Sequence, residues 1–397
     1  MSATSLCEYL EVFWLPEFWG VLIFGVLNNV AVAQMSYQMP SFPSFLNYWV
    51  AILSVPFFAA LGKLFGEPVF ETLDSQWRRE HPGQAWEHHK QYLILGFVTG
   101  VNWITIQYVA AWVDGNLQQV VSGLGPVFVL LFSIPLTNLQ VTRRELLGSS
   151  VAICGVMIAA WPAIKGLLGL SDEDSEEVHP SWYDSWYFIF MFLVSVFAQS
   201  LEYVWQDRTF KLHNLLPATC CFWYQLYGIP LYILAIPIEM LPQVTGTPES
   251  NTLSYVMDNQ WAAFRCFLGV PLESELRHGN QSSFRCASTT AGLWVVLFVV
   301  GFVGMFYFMG VFTKKTTAFW TQVMGAIISP VAAFVFSIKS IVGEVGYAPF
   351  TIHSCIGFVV IFLGVVLRGR AMDQRRFNEN NTTITELLLD TSQKSQK

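Results

Sequence analysis

The chain reads as an all-α membrane protein: ten transmembrane helices in a five-plus-five inverted repeat, with both termini in the cytosol. Three observations predict this: a composition too apolar for a soluble domain, an internal echo, and an uneven spread of Lys and Arg. Of 397 residues, 53% are hydrophobic and 12% charged, against about 25% charge in an ordinary soluble chain. Gly125-Pro-Val-Phe-Val-Leu-Leu-Phe-Ser-Ile134 is answered by Ser329-Pro-Val-Ala-Ala-Phe-Val-Phe-Ser-Ile338, with Pro126, Val127, Phe132, Ser133 and Ile134 each 204 positions before its match. Gly148, Gly155 and Val156 are answered by Gly357, Gly364 and Val365, now 209 positions on. Internal symmetry in a multi-span protein points to a transporter whose site lies between its halves near the bilayer midplane.

Taken in order, the apolar stretches predict spans at 14–35, 44–64, 92–113, 117–137, 144–164, 184–206, 216–241, 289–312, 316–338 and 348–368, each near the roughly 20 residues a bilayer requires. Residues 1–13 form a short cytosolic tail and 14–164 the first five-helix repeat. An acidic luminal loop follows at 165–183. The second repeat, 184–368, contains a long luminal loop at 242–288, and 369–397 is a disordered cytosolic tail. The echo sets the fourth span opposite the ninth and the fifth opposite the tenth. Because five is odd, the second half crosses the membrane in the inverted sense.

Lys and Arg fix the orientation. With the amino terminus in the cytosol, sixteen of the 21 fall inside: Lys63, Arg78, Arg79, Lys90, Arg143, Arg144, Arg208, Lys211, Lys314, Lys315, and the tail residues Arg368, Arg370, Arg375, Arg376, Lys394 and Lys397. Five fall outside: Lys165, Arg265, Arg277, Arg285 and Lys339. That is a positive-inside distribution. The same choice places Cys266, Cys286 and the acceptor sequon at Asn280 on the luminal face, where a disulfide and glycosylation are chemically permitted. The spacing of the two cysteines allows a bridge without requiring one. The other sequons, at Asn380 and Asn381, would be cytosolic and unused. Met1 to Glu11 carries no Lys or Arg and a spanning stretch follows, so neither a cleaved signal nor a transit peptide is expected.

The sequence argues against two function classes. A net charge of −7 leaves no basic face for nucleic acid. No phosphate loop, His-Glu-x-x-His or nucleophile elbow is present, so no catalytic residue, cofactor or metal is expected. His81, His88 and His89 with Glu80 and Glu87 read as a solvated charged loop rather than a zinc site.

What remains informative is polarity at membrane depth, where an unsatisfied group is costly. Asn28 and Asn29 lie mid-way along the first span. Thr99, Asn102 and Thr105 share a face of the third, and Asn116, Gln118, Gln119 and Ser122 open the fourth. Gln199, Ser200, Glu202 and Tyr203 lie in the sixth, Gln225 in the seventh, and Thr321, Gln322 and Ser329 in the ninth. Any one amide is as readily explained by helix-to-helix hydrogen bonding, worth about 0.6 kcal/mol on average. Polar groups on five helices at similar depth favour an aqueous cavity. Its expected solute-binding set is Asn28, Asn29, Asn102, Gln118, Gln119, Ser122, Gln199, Gln225 and Gln322. Glu202, a turn deeper than the interfacial Asp207, is the candidate for proton coupling, since desolvation favours the neutral acid. A gating ion pair and an interfacial anchor are the competing readings of Glu202. Pro126 and Pro330, matched across the repeat, are expected to kink their helices and act as equivalent hinges. Gly96-x-x-x-Gly100 and Gly301-x-x-Gly304 are expected to be close-packing sites.

Gly115-Asn-Leu-Gln118, Ser133-Ile-Pro135, Leu201-Glu-Tyr-Val204 and Tyr224-Gln-Leu226, together with the two-cysteine loop between the seventh and eighth spans, resemble the chloroquine-resistance-transporter-like family of the drug/metabolite transporter superfamily over residues 14–370. That resemblance implies a carrier of acidic vacuoles, lysosomes or plastids, and the expected lack of a transit peptide favours vacuole or lysosome. It would export amino acids, peptides, thiol tripeptides or cationic amphiphiles from the lumen to the cytosol by alternating access, with protons as coupling ion. The family's drug-related position in the first span matches Asn29. The chain departs from the family in two ways: Thr99 stands at an acidic position of the third span, and two loop cysteines replace four. A nucleotide-sugar or sugar-phosphate antiporter of the same superfamily is an alternative, which would need cations deep in the membrane. A membrane receptor or scaffold that moves nothing is another, and has no need of symmetry.

Overall fold

A computed structural model describes residues 15–38, 43–109, 118, 121–137, 142–159, 161, 182–240, 253–270, 290–342, 351–364 and 366–368. Among the described residues the chain is all-helical, 89% helix with no strand. The helices are α1 (Pro16–Gln38), α2 (Pro43–Leu64), α3 (Ser75–Glu80), α4 (Gln84–Val109), α5 (Gly125–Thr137), α6 (Arg143–Ala159), α7 (Trp182–His213), α8 (Pro217–Leu234), α9 (Leu253–Phe267), α10 (Ala291–Lys315), α11 (Ala318–Phe336) and α12 (Lys339–Val342). The last, α13, runs Ile352–Arg368. Five helical stretches are long and apolar enough to cross a membrane: Phe45–Leu64, Gln84–Val109, Tyr187–His213, Pro217–Ile238 and Ala291–Lys315. Shorter apolar helices cover Pro16–Val32, Gly125–Leu136 and Ile352–Arg368.

Local chemistry sets the helix ends. At the start of α6, the Thr142 N–H donates to Glu145 Oε2 at 2.6 Å, and the Glu145 N–H donates to Thr142 Oγ1 at 3.3 Å. This reciprocal cap satisfies two N–H groups at the start of the helix. Between α7 and α8 the chain reverses within three residues through Asn214 at φ 48°, a left-handed conformation that Asn tolerates better than most side chains. Pro217 then occupies the first turn of α8, where its missing N–H is harmless.

The packing pattern is paired. Helix α1 lies against α10, and α4 lies against α7 in the corresponding way; α1 also meets α11, and α7 meets α5. Close approach depends on glycine. A Cβ on Gly301 would lie 2.8 Å from the backbone nitrogen of Asn28, and one on Gly96 would lie 2.6 Å from the Tyr224 carbonyl oxygen. The glycines of the second echo meet one another directly. A Cβ on Gly155 would be 2.8 Å from the Gly357 oxygen, and one on Gly364 would be 2.6 Å from the Gly148 oxygen. Helices α6 and α13 therefore cross antiparallel on a glycine seam, with Gly148 against Gly364 and Gly155 against Gly357. Shifting either contact by 209 positions produces the other.

Helix termini gather at two ends of the bundle. At one end the Lys315 ammonium donates to Glu17 Oε1 at 2.6 Å, Lys211 pairs with Asp207 at 2.7 Å, and Lys314 Nζ donates to the Leu215 carbonyl at 3.0 Å. The loop after α2 docks here through Glu67 Oε2, which accepts the Thr219 N–H at 3.1 Å, and through the Val69 carbonyl, which accepts from Trp223 Nε1 at 2.9 Å. Burial holds the Glu67 carboxyl above its ordinary range, although the Thr219 and Ala218 N–H groups and Lys314 pull the other way. At the opposite end Tyr48 donates to Gln260 Oε1 at 2.8 Å and Trp49 stacks on Phe264, seating α9 against the start of α2.

Two details differ from the sequence reading. His88 and His89 are not in an open loop: α4 begins at Gln84, the Tyr227 hydroxyl lies 2.9 Å from His89 Nδ1, and His88 packs between Trp77 and His213. Arg368 is not a solvated tail residue. It is 2% exposed, stands over the Phe319 ring and donates to the Pro126 carbonyl. Counting charges places such a side chain by sequence proximity, whereas the absence of a Cβ at Gly148 admits the end of α13 into the bundle. Cys266 is fully buried and, unlike Cys154, Cys220, Cys221 and Cys355, is not a free thiol. Cys286, Asn280, residues 165–181 of the acidic loop, both tails and most of the 242–288 loop lie outside the described residues.

Candidate functional site

Helices α1, α4, α7, α10 and α11, with Ser122 just before α5, enclose a central cavity of about 80 Å³. Its polar wall is Asn28 and Asn29 from α1, Asn102 from α4, Ser122, Ser195 and Gln199 from α7, and Gln322 from α11. Trp103, Phe192, Tyr203, Met305 and Met309 make most of its apolar wall. No charged side chain lines it among the described residues. A volume of 80 Å³ has room for a few waters and falls well short of the roughly 300 Å³ of a small-molecule site. Admitting a solute therefore requires the surrounding helices to separate.

Several lining groups are held in place. The Ser195 hydroxyl donates to Asn102 Oδ1 at 2.7 Å, which fixes the Asn102 amide across the α4–α7 interface. Tyr203 donates to the Met309 sulfur at 3.2 Å. Ser122 donates to the Gln118 carbonyl at 2.8 Å. By contrast, Asn28 Oδ1 is buried with no hydrogen-bond partner. The glycine contact at Gly301 presses α10 against α1 at this asparagine. The cavity thus presents a desolvated acceptor, the kind of group that a solute donor would satisfy.

Below the cavity the helix interruption in the fourth predicted span is visible. A turn at 123–124 separates residues 121–122 from α5. Pro126 lies in the first turn of α5 rather than mid-helix, so the break precedes the proline instead of being a kink around it. A proline there lacks only an N–H that the helix start leaves free. Gly125 leaves the space that the Gln322 amide fills, since a Cβ on Gly125 would be 2.4 Å from Gln322 Oε1. Ser200 joins the two, donating to the Gly125 carbonyl at 3.3 Å and accepting from Gln322 Nε2 at 3.5 Å. Pro330 falls within α11.

Of the nine expected solute-binding residues, the structure brings Asn28, Asn29, Asn102, Ser122, Gln199 and Gln322 onto one cavity. Gln118 and Gln225 are buried but do not line it, and Gln119 lies outside the described residues. Gln118 stands 204 positions before Gln322, a match in the echo that polarity alone did not single out. Glu202 also stays out of the cavity: its neighbour Tyr203 faces in, while Glu202 turns toward Gln206 and Thr99. The aromatic and thioether walls went unread because those residue types also face lipid. Tyr203 was marked by its hydroxyl at membrane depth, and for Trp103 the hint was adjacency to Asn102.

Comparison with known proteins places the chain in a family. The profile of the CRT-like, chloroquine-resistance transporter-like, family matches residues 17–368, nearly the whole chain. No curated protein matches it. Among solved structures, a chain described as "Crystal structure of protein" superposes with a TM-score of 0.47 at 12% identity, over 90% of this chain and 98% of the other.

Proposed function

The chain belongs to the CRT-like, chloroquine-resistance transporter-like, family, a family of membrane transporters, and from that premise we propose a secondary active carrier of small organic solutes. It works by alternating access, exporting amino acids, peptides or cationic amphiphiles from an acidic vacuolar or lysosomal lumen to the cytosol, with proton coupling at Glu202. The observation that carries this reading is the central cavity: six amide and hydroxyl residues foreseen from membrane-depth polarity converge there, with no fixed charge and an aromatic wall. An uncharged, amide-lined pocket suits zwitterionic and amphipathic solutes. Phosphorylated ones would need Lys or Arg, and none lines it among the described residues.

The ten-span, five-plus-five inverted arrangement belongs to the same proposal. It is supported by the matched helix pairings and by the symmetric glycine seam. Cytosolic termini are supported by the charged clustering of Glu17, Lys315, Asp207 and Lys211 at one end. Cys266 and Cys286 would then form a luminal disulfide, in keeping with the missing free thiol at Cys266. Gly125 and the 123–124 turn would act as the hinge that lets the fourth span swing.

The test is flux in proteoliposomes holding the purified chain, assayed against amino acids, short peptides and weak-base amphiphiles with and without a pH gradient. Saturable uptake of at least one class, enhanced when the source compartment outside the vesicles is acidic, is expected. Protein that is folded yet moves none of them would return the reading to receptor or scaffold.

A further inference from the structure

The hydrogen bonds already made around the solute cavity decide what its amides still offer. Asn102 and Ser195 are each 2% exposed, and both line the cavity. The Ser195 hydroxyl donates to Asn102 Oδ1 at 2.7 Å, which turns the amide one way. Its oxygen is held toward α7, and Asn102 Nδ2, which donates to no described residue, is left for the cavity. Two other lining groups are already engaged. Gln322 Nε2 donates to Ser200 Oγ at 3.5 Å with its Oε1 against Gly125, and the Ser122 hydroxyl donates to the Gln118 carbonyl at 2.8 Å. On α1, another wall of the cavity, the polarity is reversed: Asn28 Oδ1 is buried without a partner and can only accept. Helices α4 and α7 pack on each other, so the oriented amide travels with them when other helices part to admit a solute.

An N–H donor and an acceptor oxygen on two walls of one space match the two ends of an α-amino acid. Asn102 Nδ2 suits a carboxylate, whose charge makes such a bond roughly twice as strong as a neutral carbonyl would. Asn28 Oδ1 suits the ammonium, which supplies the donor it lacks. No charged side chain lines the cavity among the described residues. A solute of one net charge would therefore be desolvated there without compensation, whereas a zwitterion carries its own counter-charge. Trp103, Met305 and Met309 offer a surface for an apolar side chain. We propose that Ser195 is a positioning residue that holds Asn102 as the carboxylate donor, and that the cavity selects zwitterionic α-amino acids with apolar side chains over cationic amphiphiles. Their standing as transported substrates rests on the carrier reading above; the order of binding does not.

The experiment is thermal unfolding of the purified chain in detergent at constant pH and ionic strength. The probes are L-leucine, leucinol (ammonium without carboxylate) and N-acetyl-leucine (carboxylate without ammonium). Leucine should give a saturable rise in Tm of a few degrees by ligand linkage, with a midpoint about tenfold below those of the other two. Asn102→Asp keeps the side chain's shape and the bond from Ser195 but puts an acceptor where Nδ2 stood, so leucinol should then bind more tightly than leucine. Ser195→Ala frees the amide to turn, and the preference for leucine over leucinol should shrink several-fold. No response to any probe, an equal response to all three, or an unchanged order in Asn102→Asp would each overturn the assignment. So would a Ser195→Ala chain that melts lower yet keeps its full preference, the result expected if the bond only packs α4 on α7. None of these outcomes requires transport. Leucine binding in this order by a chain that moves no solute would leave the site standing and remove the carrier reading; flux of weak-base amphiphiles without leucine binding would do the reverse.

Discussion

Gly155→Val is expected to melt well below the parent chain, by an amount at the upper end of the roughly 1–3 kcal/mol typical of overpacking. The reason is what its side chain would strike. A Cβ at residue 155 would lie 2.6 Å from the backbone nitrogen of Ile361 and 2.8 Å from the Gly357 oxygen. Backbone cannot rotate aside as a flexible side chain can, so α6 and α13 must separate. The symmetric positions should behave alike: a Cβ at Gly364 would be 2.4 Å from the Ala152 nitrogen. Ser150→Val is the internal control, because Ser150 faces outward on the same helix, donating only to the Leu146 carbonyl at 3.0 Å. Thermal unfolding in detergent compares the three. A Gly155→Val chain as stable as Ser150→Val would show that the two helices do not pack on their glycines.

Glu202→Gln should abolish accumulation against a gradient while facilitated equilibration persists. One proton per solute, driven by a tenfold proton gradient, supports about tenfold accumulation; the variant should fall to an inside-to-outside ratio of one. Glutamine matches the carboxyl in shape and can still accept from Gln206, now 3.1 Å from Oε1. It cannot take up or release a proton. Because Glu202 lies outside the cavity while Tyr203 lines it, solute affinity should change far less than coupling. Counterflow and gradient-driven uptake in the same vesicles separate the two. If Glu202→Gln still accumulates solute tenfold, coupling lies elsewhere.

The sequence made some of this architecture legible and hid the rest for physical reasons. Glycines matched at a spacing of 209 were legible only as an echo; in the structure they also meet, because only glycine lets backbones approach within van der Waals distance. Polarity at membrane depth marked Asn28, Asn102 and Gln322, since such groups are costly in hydrocarbon unless something shares them. The same signal also marked Gln118 and Gln225, which are buried outside the cavity. Polarity says that a side chain needs a partner; rotation about the helix axis decides which partner it finds. Arg368 is the clearest miss. Its charge and its place at the end of a span suggested a cytosolic tail, whereas the Phe319 face and the Pro126 carbonyl hold it inside. The interruption at 123–124 was foreshadowed by Gly123-Leu-Gly-Pro126, but proline drew attention one turn too late.

The central claim, that the amide-lined cavity opens in turn to each side of the membrane, is best tested at Ser122, half-buried on the cavity wall beside the hinge. A membrane-impermeant thiol reagent applied to either face of vesicles carrying Ser122→Cys, against the parent chain as background, reports access directly. The account predicts labelling from both faces, never simultaneously on one molecule, slowed by a transported solute and shifted from one face to the other by the coupling gradient. Labelling from one face only, unaffected by solute or gradient, would contradict it.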